Sequence, residues 1–172
     1  DVNEATRAAG QLMRNGLAPD AEAAFDVIVA GLQGSANRSG DFLDTLSEYS
    51  EPFSSLGLDA GQALGVLNAG LDAGALNADK VGDALKEFSI RAVDGSKASG
   101  EAYAALGLDA DAMAAKIAAG GPTAQQATSQ IIRALSGMSD QVAQDAAGVA
   151  LFGSTWEDLG PGEYGFWANV NP

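Results

Sequence analysis

The 172-residue chain contains no cysteine and no histidine. Without cysteine it can form no disulfide framework, no thiol nucleophile and no zinc–thiolate site. Without histidine it has no Ser–His–Asp relay, no HExxH metal site and no side chain that titrates unperturbed near neutral pH. Each absence removes a whole class of chemistry from the functions to be considered.

Basic residues are scarce, with 9 Lys+Arg against 23 Asp+Glu, so the net charge is −14. This charge disfavours binding to a nucleic-acid phosphate backbone. Aromatic residues make up only 6% of the chain, and no apolar run reaches the ~18 residues of a bilayer span. The hydrophobic share of 47% still suffices for a buried core at this length. We therefore expect an acidic, soluble, folded domain that belongs to a longer polypeptide, since the sequence begins without Met.

Glycine is abundant, with 22 residues against 5 prolines. Many glycines separate stretches that have the 3.6-residue apolar period of amphipathic helices, where glycine is typical of helix ends. The only run of strong β-formers, residues 25–29, follows alanines that favour helix. The pattern predicts an all-α fold of short antiparallel helical hairpins, arranged either like a solenoid or as a compact bundle.

Several predicted helices have recognisable caps. Asp59 and Gln62 have the capping-box spacing, and Ser39, Asn77 and Ser139 each precede an apolar stripe. Two further stripes are expected to face the core, one of Phe25, Ile28, Val29 and Leu32, and one of Val142, Ala146 and Val149.

A short string recurs along the chain. Residues 56–60, Leu-Gly-Leu-Asp-Ala, return at 106–110, and 16–20 form a looser copy. This spacing predicts about three tandem units, near 16–56, 57–106 and 107–153, of the size of helical repeats that stack on one another. The alternative is that Gly-Leu-Asp-Ala is a common way to begin a helix.

Sites for catalysis or cofactors are not indicated. Residues 39–79 carry seven acids and no Lys or Arg, but they lack the ligand spacing of a calcium loop. A glycosidase-type carboxylate pair usually lies among aromatic sugar platforms, which are few here. The adjacent Ser96 and Lys97 lie in a turn rather than in a nucleophile elbow, and Gly120-Gly121-Pro122-Thr123 lacks the lysine of a phosphate loop. We predict no enzyme, cofactor or metal.

Two clusters are the most informative. The first spans residues 86–95, where Glu87 and Arg91 have the favourable i,i+4 order. The second spans residues 152–160 and places Phe and Trp beside two acids. An exposed ion pair would account for the first cluster, and a hydrophobic plug that closes the last hairpin would account for the second. The candidate packing or interaction residues are Glu48, Tyr49, Lys86, Glu87, Phe88, Arg91, Asp94, Phe152, Gly153, Trp156, Glu157 and Asp158.

These clusters, together with residues 44–49, 75–91, 94–97, 106–108 and 118–121, resemble the tail tape measure proteins of long-tailed bacteriophages and prophages in order and spacing. The resemblance covers about residues 3–160. It implies a structural, non-enzymatic segment of a long helical chain in the virion tail that sets tail length and acts in tail assembly and genome delivery. The implied partners are tail tube and tail assembly proteins. Nucleic-acid binding and membrane contact are not expected for this segment.

Residues 161–172 depart from the resemblance and are predicted to form a loop-like tail. Two other functions stay open: a stand-alone acidic helical module that binds a basic partner through Glu48 and Glu51, and an enzyme fragment with a carboxylate pair. If the segment lies in a narrow tube, we expect its thin Ala/Gly helix interfaces to open easily.

Overall fold

The computed structural model describes residues 1–159, 164–167 and 170. The α-helices in these residues are α1 Val2–Arg14, α2 Ala21–Gln33, α3 Phe42–Glu48, α4 Ser50–Ser55, α5 Ala60–Asp72, α6 Ala78–Arg91, α7 Lys97–Ala105, α8 Ala110–Ala118, α9 Gly121–Ser136 and α10 Gln141–Phe152. Short 3-10 segments span Ser35–Asn37, Gly153–Leu159 and Gly165–Trp167. Strands are absent from the described residues, so the prediction of an all-α fold is confirmed.

Helix α6 lies at the centre of the packing. It contacts α3, α4, α5, α10 and the Gly153–Leu159 segment. The apolar stripe predicted after Asn77 consists of Val81, Leu85, Phe88 and Ala92, and all four are buried. The Asn77 side chain caps the helix by accepting the N–H of Lys80. Because α10 and the segment after it return to α6 rather than stacking onward, the helices form a compact bundle.

The helices approach closely because bulky side chains lie directly on glycines. A Cβ at any of these glycines would overlap the side chain that covers it. Because the helices lie close together, a small number of large side chains is enough to fill the core. The covered glycines are Gly31 under Phe42, Gly70 under Val81, Gly82 under Tyr49 and Gly148 under Trp156.

The recurring Gly-Leu string forms the same joint at three places. Its glycines have positive φ values of 78°, 80° and 71°, a conformation that glycine adopts without a Cβ penalty. In each joint the leucine N–H bonds to the carbonyl five residues earlier, at 2.8–3.0 Å, as in a Schellman motif. An aspartate then caps the next helix. The glycines are Gly16, Gly57 and Gly107, and the caps are Asp20, Asp59 and Asp109.

These joints begin each of the three units predicted near 16–56, 57–106 and 107–153, and the division into units stays a prediction. The predicted capping box of Asp59 and Gln62 is present, with both of its hydrogen bonds formed.

Two predicted caps are wrong. The hydroxyl of Ser39 donates to the carbonyl of Leu76 instead of capping α3. At the start of α10 the cap is Asp140, one residue after Ser139, and its carboxylate accepts the N–H of Val142. At α3 the N-cap residue is Asp41, which makes no side-chain capping hydrogen bond because its carboxylate accepts the N–H groups of Ala78 and Asp79 instead.

The two predicted core stripes are also wrong in orientation. On α2, Ile28 is buried together with Ala24 and Gly31, whereas the rest of the predicted stripe is exposed. On α10, Val142 is 80% exposed, and the buried face includes Gly148. The small residues face the core because they let bulky side chains from other segments pack against the helix backbone.

The chain beyond residue 159 is described only in part, and the predicted boundary at 160–161 lies outside the described residues. Within the predicted tail, the Gly165–Trp167 segment packs on α5. Phe166, Trp167 and Val170 are buried, and the Trp167 Nε1–H donates to Ser129 Oγ at 2.8 Å. These residues therefore contribute to the core.

We expect Gly148→Ala to destabilise the protein by about 1–3 kcal/mol, because the new methyl group must displace the buried Trp156 indole. The matched control is Gly100→Ala in α7, where no atom lies within 4 Å of the new Cβ. This control should gain about 0.5–1 kcal/mol from helix propensity. Urea unfolding of the three proteins measures both effects, and equal stabilities would contradict the close-packing account.

Candidate functional site

The structure brings together the two clusters that the sequence singles out. The Gly153–Leu159 segment packs against α6, although some 60 residues separate them along the chain. The rings of Phe88 and Phe152 stack with centroids 4.9 Å apart, and the Trp156 ring lies 5.5 Å from Phe152. All three side chains are buried. Their proximity joins the central helix to the C-terminal part of the bundle.

Further aromatic residues near the C-terminus extend this contact. Phe166 meets Phe152 edge to face at 5.9 Å, and Tyr164 lies 5.7 Å from Trp156. Edge-to-face and offset ring pairs add about 0.5–1.5 kcal/mol beyond their buried area. We call these residues the aromatic cluster: Phe88, Phe152, Trp156, Tyr164, Phe166 and Trp167.

The aromatic cluster holds six of the eleven aromatic residues of the chain, which has 6 Phe, 3 Tyr and 2 Trp. All but Phe88 come from residues that follow α9 along the chain. More than half of the aromatic residues thus gather where the C-terminal part of the chain returns to α6.

Charged side chains border this contact. Arg91 Nε lies 3.1 Å from Glu87 Oε2, the i,i+4 pair expected from the sequence. The same guanidinium lies over Gly153, where a Cβ would come within 3.0 Å of Arg91 Nε. Gly153 has a φ of 67°, so both its conformation and its neighbour favour glycine. A second ion pair, Lys80 Nζ with Asp158 Oδ2 at 3.5 Å, joins α6 to the Gly153–Leu159 segment.

Tyr49 contacts α6 on another side. Its ring covers Gly82, and its hydroxyl donates to Asp79 Oδ1 at 3.2 Å. Burial raises the pKa of Tyr49, and the negative charges of Asp79, Asp83 and Glu48 raise it further. The phenol therefore stays protonated and serves as a hydrogen-bond donor.

The acids on this side of α6 repel one another. Asp79, Asp83 and Glu87 follow at i,i+4 spacing, which places like charges on one face of the helix. Burial raises the pKa of Asp83, and the charges of Glu87 and Asp79 raise it further. Asp79 and Asp83 are not among the residues predicted from the sequence, although their spacing from Glu87 was the signal that could have found them.

The remaining candidate residues lie outside the aromatic cluster and are exposed. The carboxylate of one of them, Asp94, accepts the N–H of Ser96 at 2.8 Å. Slight burial opposes ionisation of Asp94, but hydrogen bonds from Ser96 and Ser99 outweigh it and lower the pKa of this carboxyl. Asp94 thus stabilises the turn before α7. The exposed candidates are Glu48, Lys86, Asp94 and Glu157.

The geometry offers little for catalysis. The Ser96 hydroxyl donates to Ser99 Oγ, and Lys97 Nζ lies 3.7 Å from Glu101 Oε1, so both members of the adjacent Ser–Lys pair have other partners. A groove of about 520 Å³ between α7 and α10 is lined mainly by alanines, with Arg91 and Glu101 as its charged residues. Within the described ranges, no group of three or more acids is arranged to hold a metal ion.

Across the part of the chain that the structure describes, no helix combines the length and apolar character needed to cross a membrane.

The described residues form a compact bundle of the all-α class. Comparison with known proteins adds the family, which is one of phage tail proteins. The phage-related minor tail protein family matches residues 1–153, and the chain belongs to this family. A relative from Streptomyces phage phiC31, described as a "Probable tape measure protein", is 45% identical over 159 residues. The match covers 92% of this chain and 22% of the relative, so the chain spans about a fifth of that protein's length. No solved structure matches the chain.

The resemblance to phage tape measure proteins that the sequence indicated is thereby confirmed. The aligned 159 residues show how far the similarity extends. They do not assign a role to any one of the candidate residues, so the roles of these residues stay predictions.

We expect the stability of wild type relative to Asp83→Asn to fall as pH rises from about 4, where an unfolded Asp titrates. The folded-state pKa of Asp83 is raised, so the folded protein binds this proton more tightly than the unfolded chain does. The resulting stabilisation is complete below the unfolded pKa and is lost as pH rises through the folded pKa.

Chemical unfolding of wild type and Asp83→Asn across this pH range measures the difference between their free energies of unfolding. Of the two acids that raise the pKa of Asp83, Glu87 has the larger effect. Measuring the same two proteins with Glu87→Gln added removes this charge, and the change of the stability difference with pH should become smaller. A difference that stays constant, or that grows with pH, would contradict the raised pKa.

Proposed function

We propose that this chain is a structural segment of a phage tail tape measure protein, located in the virion tail, where the full-length protein sets tail length and acts in tail assembly and genome delivery. The observation that carries this proposal is the 45% identity to a protein described as a probable tape measure protein across 92% of the chain. Membership of the minor tail protein family supports it.

The physical properties of the segment agree with a structural role. Ring packing, contacts at glycine and ion pairs account for eight of the twelve candidate residues, namely Tyr49, Glu87, Phe88, Arg91, Phe152, Gly153, Trp156 and Asp158. The net charge of −14 repels the phosphate backbone of a genome that passes through the same tail. The segment is therefore proposed to be non-enzymatic, to need no cofactor and not to bind nucleic acid.

The proposed partners are the tail tube and tail assembly proteins. The alternative of a stand-alone acidic binding module is less favoured, because the relative continues far beyond the matched segment. Glu48, a proposed contact residue of that module, is exposed, and its charge acts together with those of Asp79 and Asp83 on Tyr49. An enzyme fragment is the least favoured function.

The compact bundle and a narrow tail tube pose a geometric problem. A folded domain of this length has a radius of gyration of roughly 16 Å. The same residues in one continuous helix would extend ~260 Å at the helical rise per residue. We propose that the helices separate at their Gly-Leu joints inside the tail while each helix stays formed. Separation would break the close glycine packing and the aromatic cluster.

We expect an in-frame deletion of codons 21–118 (α2 to α8) from the phage genome to shorten the tail by ~150 Å if the deleted residues are extended helix in the tail. A duplication of the same codons should lengthen it by the same amount. Electron microscopy of negatively stained particles measures tail length, and wild-type particles of the same preparation are the control. Intact tails of unchanged length in both mutants would overturn the proposed role in setting tail length.

A further inference from the structure

Helix α2 presents an apolar stripe to solvent. Phe25, Val29 and Leu32 follow at i, i+4 and i+7 and are 39%, 52% and 41% exposed. The adjacent face of α2, about 100° around the helix axis at 3.6 residues per turn, packs on the bundle through Ala24 and Ile28. The spacing of the exposed residues is that of anchor residues in helix-to-helix recognition.

Acidic side chains border the stripe. Glu22 and Asp26 are exposed on the same helix, and α2 contains no Lys or Arg. At the Leu32 end the surface forms a small polar pocket of about 170 Å³, which no Lys or Arg lines. Arg7 and Arg14 of the neighbouring α1 are exposed but do not reach this pocket. The acids that line it are Asp1, Glu4 and Asp44.

The exposed stripe on α10 lacks this charge pattern. Val142 and Val149 are exposed there as well, but the adjacent groove contains both Arg91 and Glu101. The two groove charges balance, and α10 itself carries one acid, Asp145, against Glu22 and Asp26 on α2. The α10 stripe is therefore a less acidic exposed apolar surface and serves as the control.

We propose that the α2 stripe binds a cationic amphipathic helix of a protein partner. The apolar face of that helix would cover Phe25, Val29 and Leu32, and its Lys or Arg side chains would pair with Glu22 and Asp26. Charge complementarity selects this occupant, because a second copy of the chain would bring another net charge of −14 to an acidic surface. The proposal depends on α2 and does not require the tape measure role.

The test uses the 172-residue chain and a fluorescent peptide of about 15 residues, or four helical turns, with Leu at i, i+4 and i+7 and Lys at the polar positions. A matched peptide has Glu in place of Lys. Fluorescence anisotropy measures binding. We expect the cationic peptide to bind and the anionic peptide to bind at least about tenfold more weakly, with the difference shrinking as salt is added.

Variants then locate the surface. Val29→Ser with Leu32→Ser should weaken binding of the cationic peptide about tenfold or more, because the apolar contact is removed. Glu22→Gln with Asp26→Asn should weaken it and reduce its salt dependence. Circular dichroism checks that every variant keeps its helical content. The matched control on α10, which should bind like wild type, is Val142→Ser with Val149→Ser.

Three outcomes would overturn the proposal. The first is equal binding of the cationic and anionic peptides. The second is wild-type affinity in both the apolar and the acidic α2 variants. The third is self-association of the wild-type chain in sedimentation that the Val29→Ser and Leu32→Ser changes abolish, since the stripe would then belong to a second copy.

Discussion

The direct contact of bulky side chains with glycine surfaces is the constraint on which the rest of the bundle depends. Tyr49 and Trp156 can be buried only because Gly82 and Gly148 leave the backbone of α6 and α10 uncovered. These contacts set the helix separations, and the helix separations decide which other side chains meet. The stacking of the phenylalanine rings of α6 and α10 is one result. A chain with few aromatic residues thus obtains a continuous core.

Much of the fold follows from local sequence patterns, because capping and helical periodicity are local effects. The buried stripe on α6 and the caps at Asp59 and Asn77 are examples. The orientation of α2 and α10 did not follow, because hydrophobicity favoured burying the large residues. The structure instead buries the faces that contain Gly31 and Gly148, since Phe42 and Trp156 pack on these glycines from other segments whose position no local pattern encodes.

The candidate residues divide in the same way. The i,i+4 pair of Glu87 and Arg91 was predictable because both members lie on one helix. The ion pair of Lys80 with Asp158 was not, because it depends on where the C-terminal segment returns to α6. The like-charged face of α6 was visible in the spacing of its acids. Its effect on Tyr49 required the tertiary contact of α6 with α3 and α4.

The three Gly-Leu joints form most of their hydrogen bonds within a few residues of chain, in the turn itself and to the aspartate that follows. One backbone hydrogen bond, from the Ala60 N–H to the Leu17 carbonyl at 3.0 Å, joins the first joint to the second. Separating the helices would break this bond and leave the local ones formed. The contour length of the segment is then a function of residue number and helix content, and it is the same whether the helices are packed together or drawn apart.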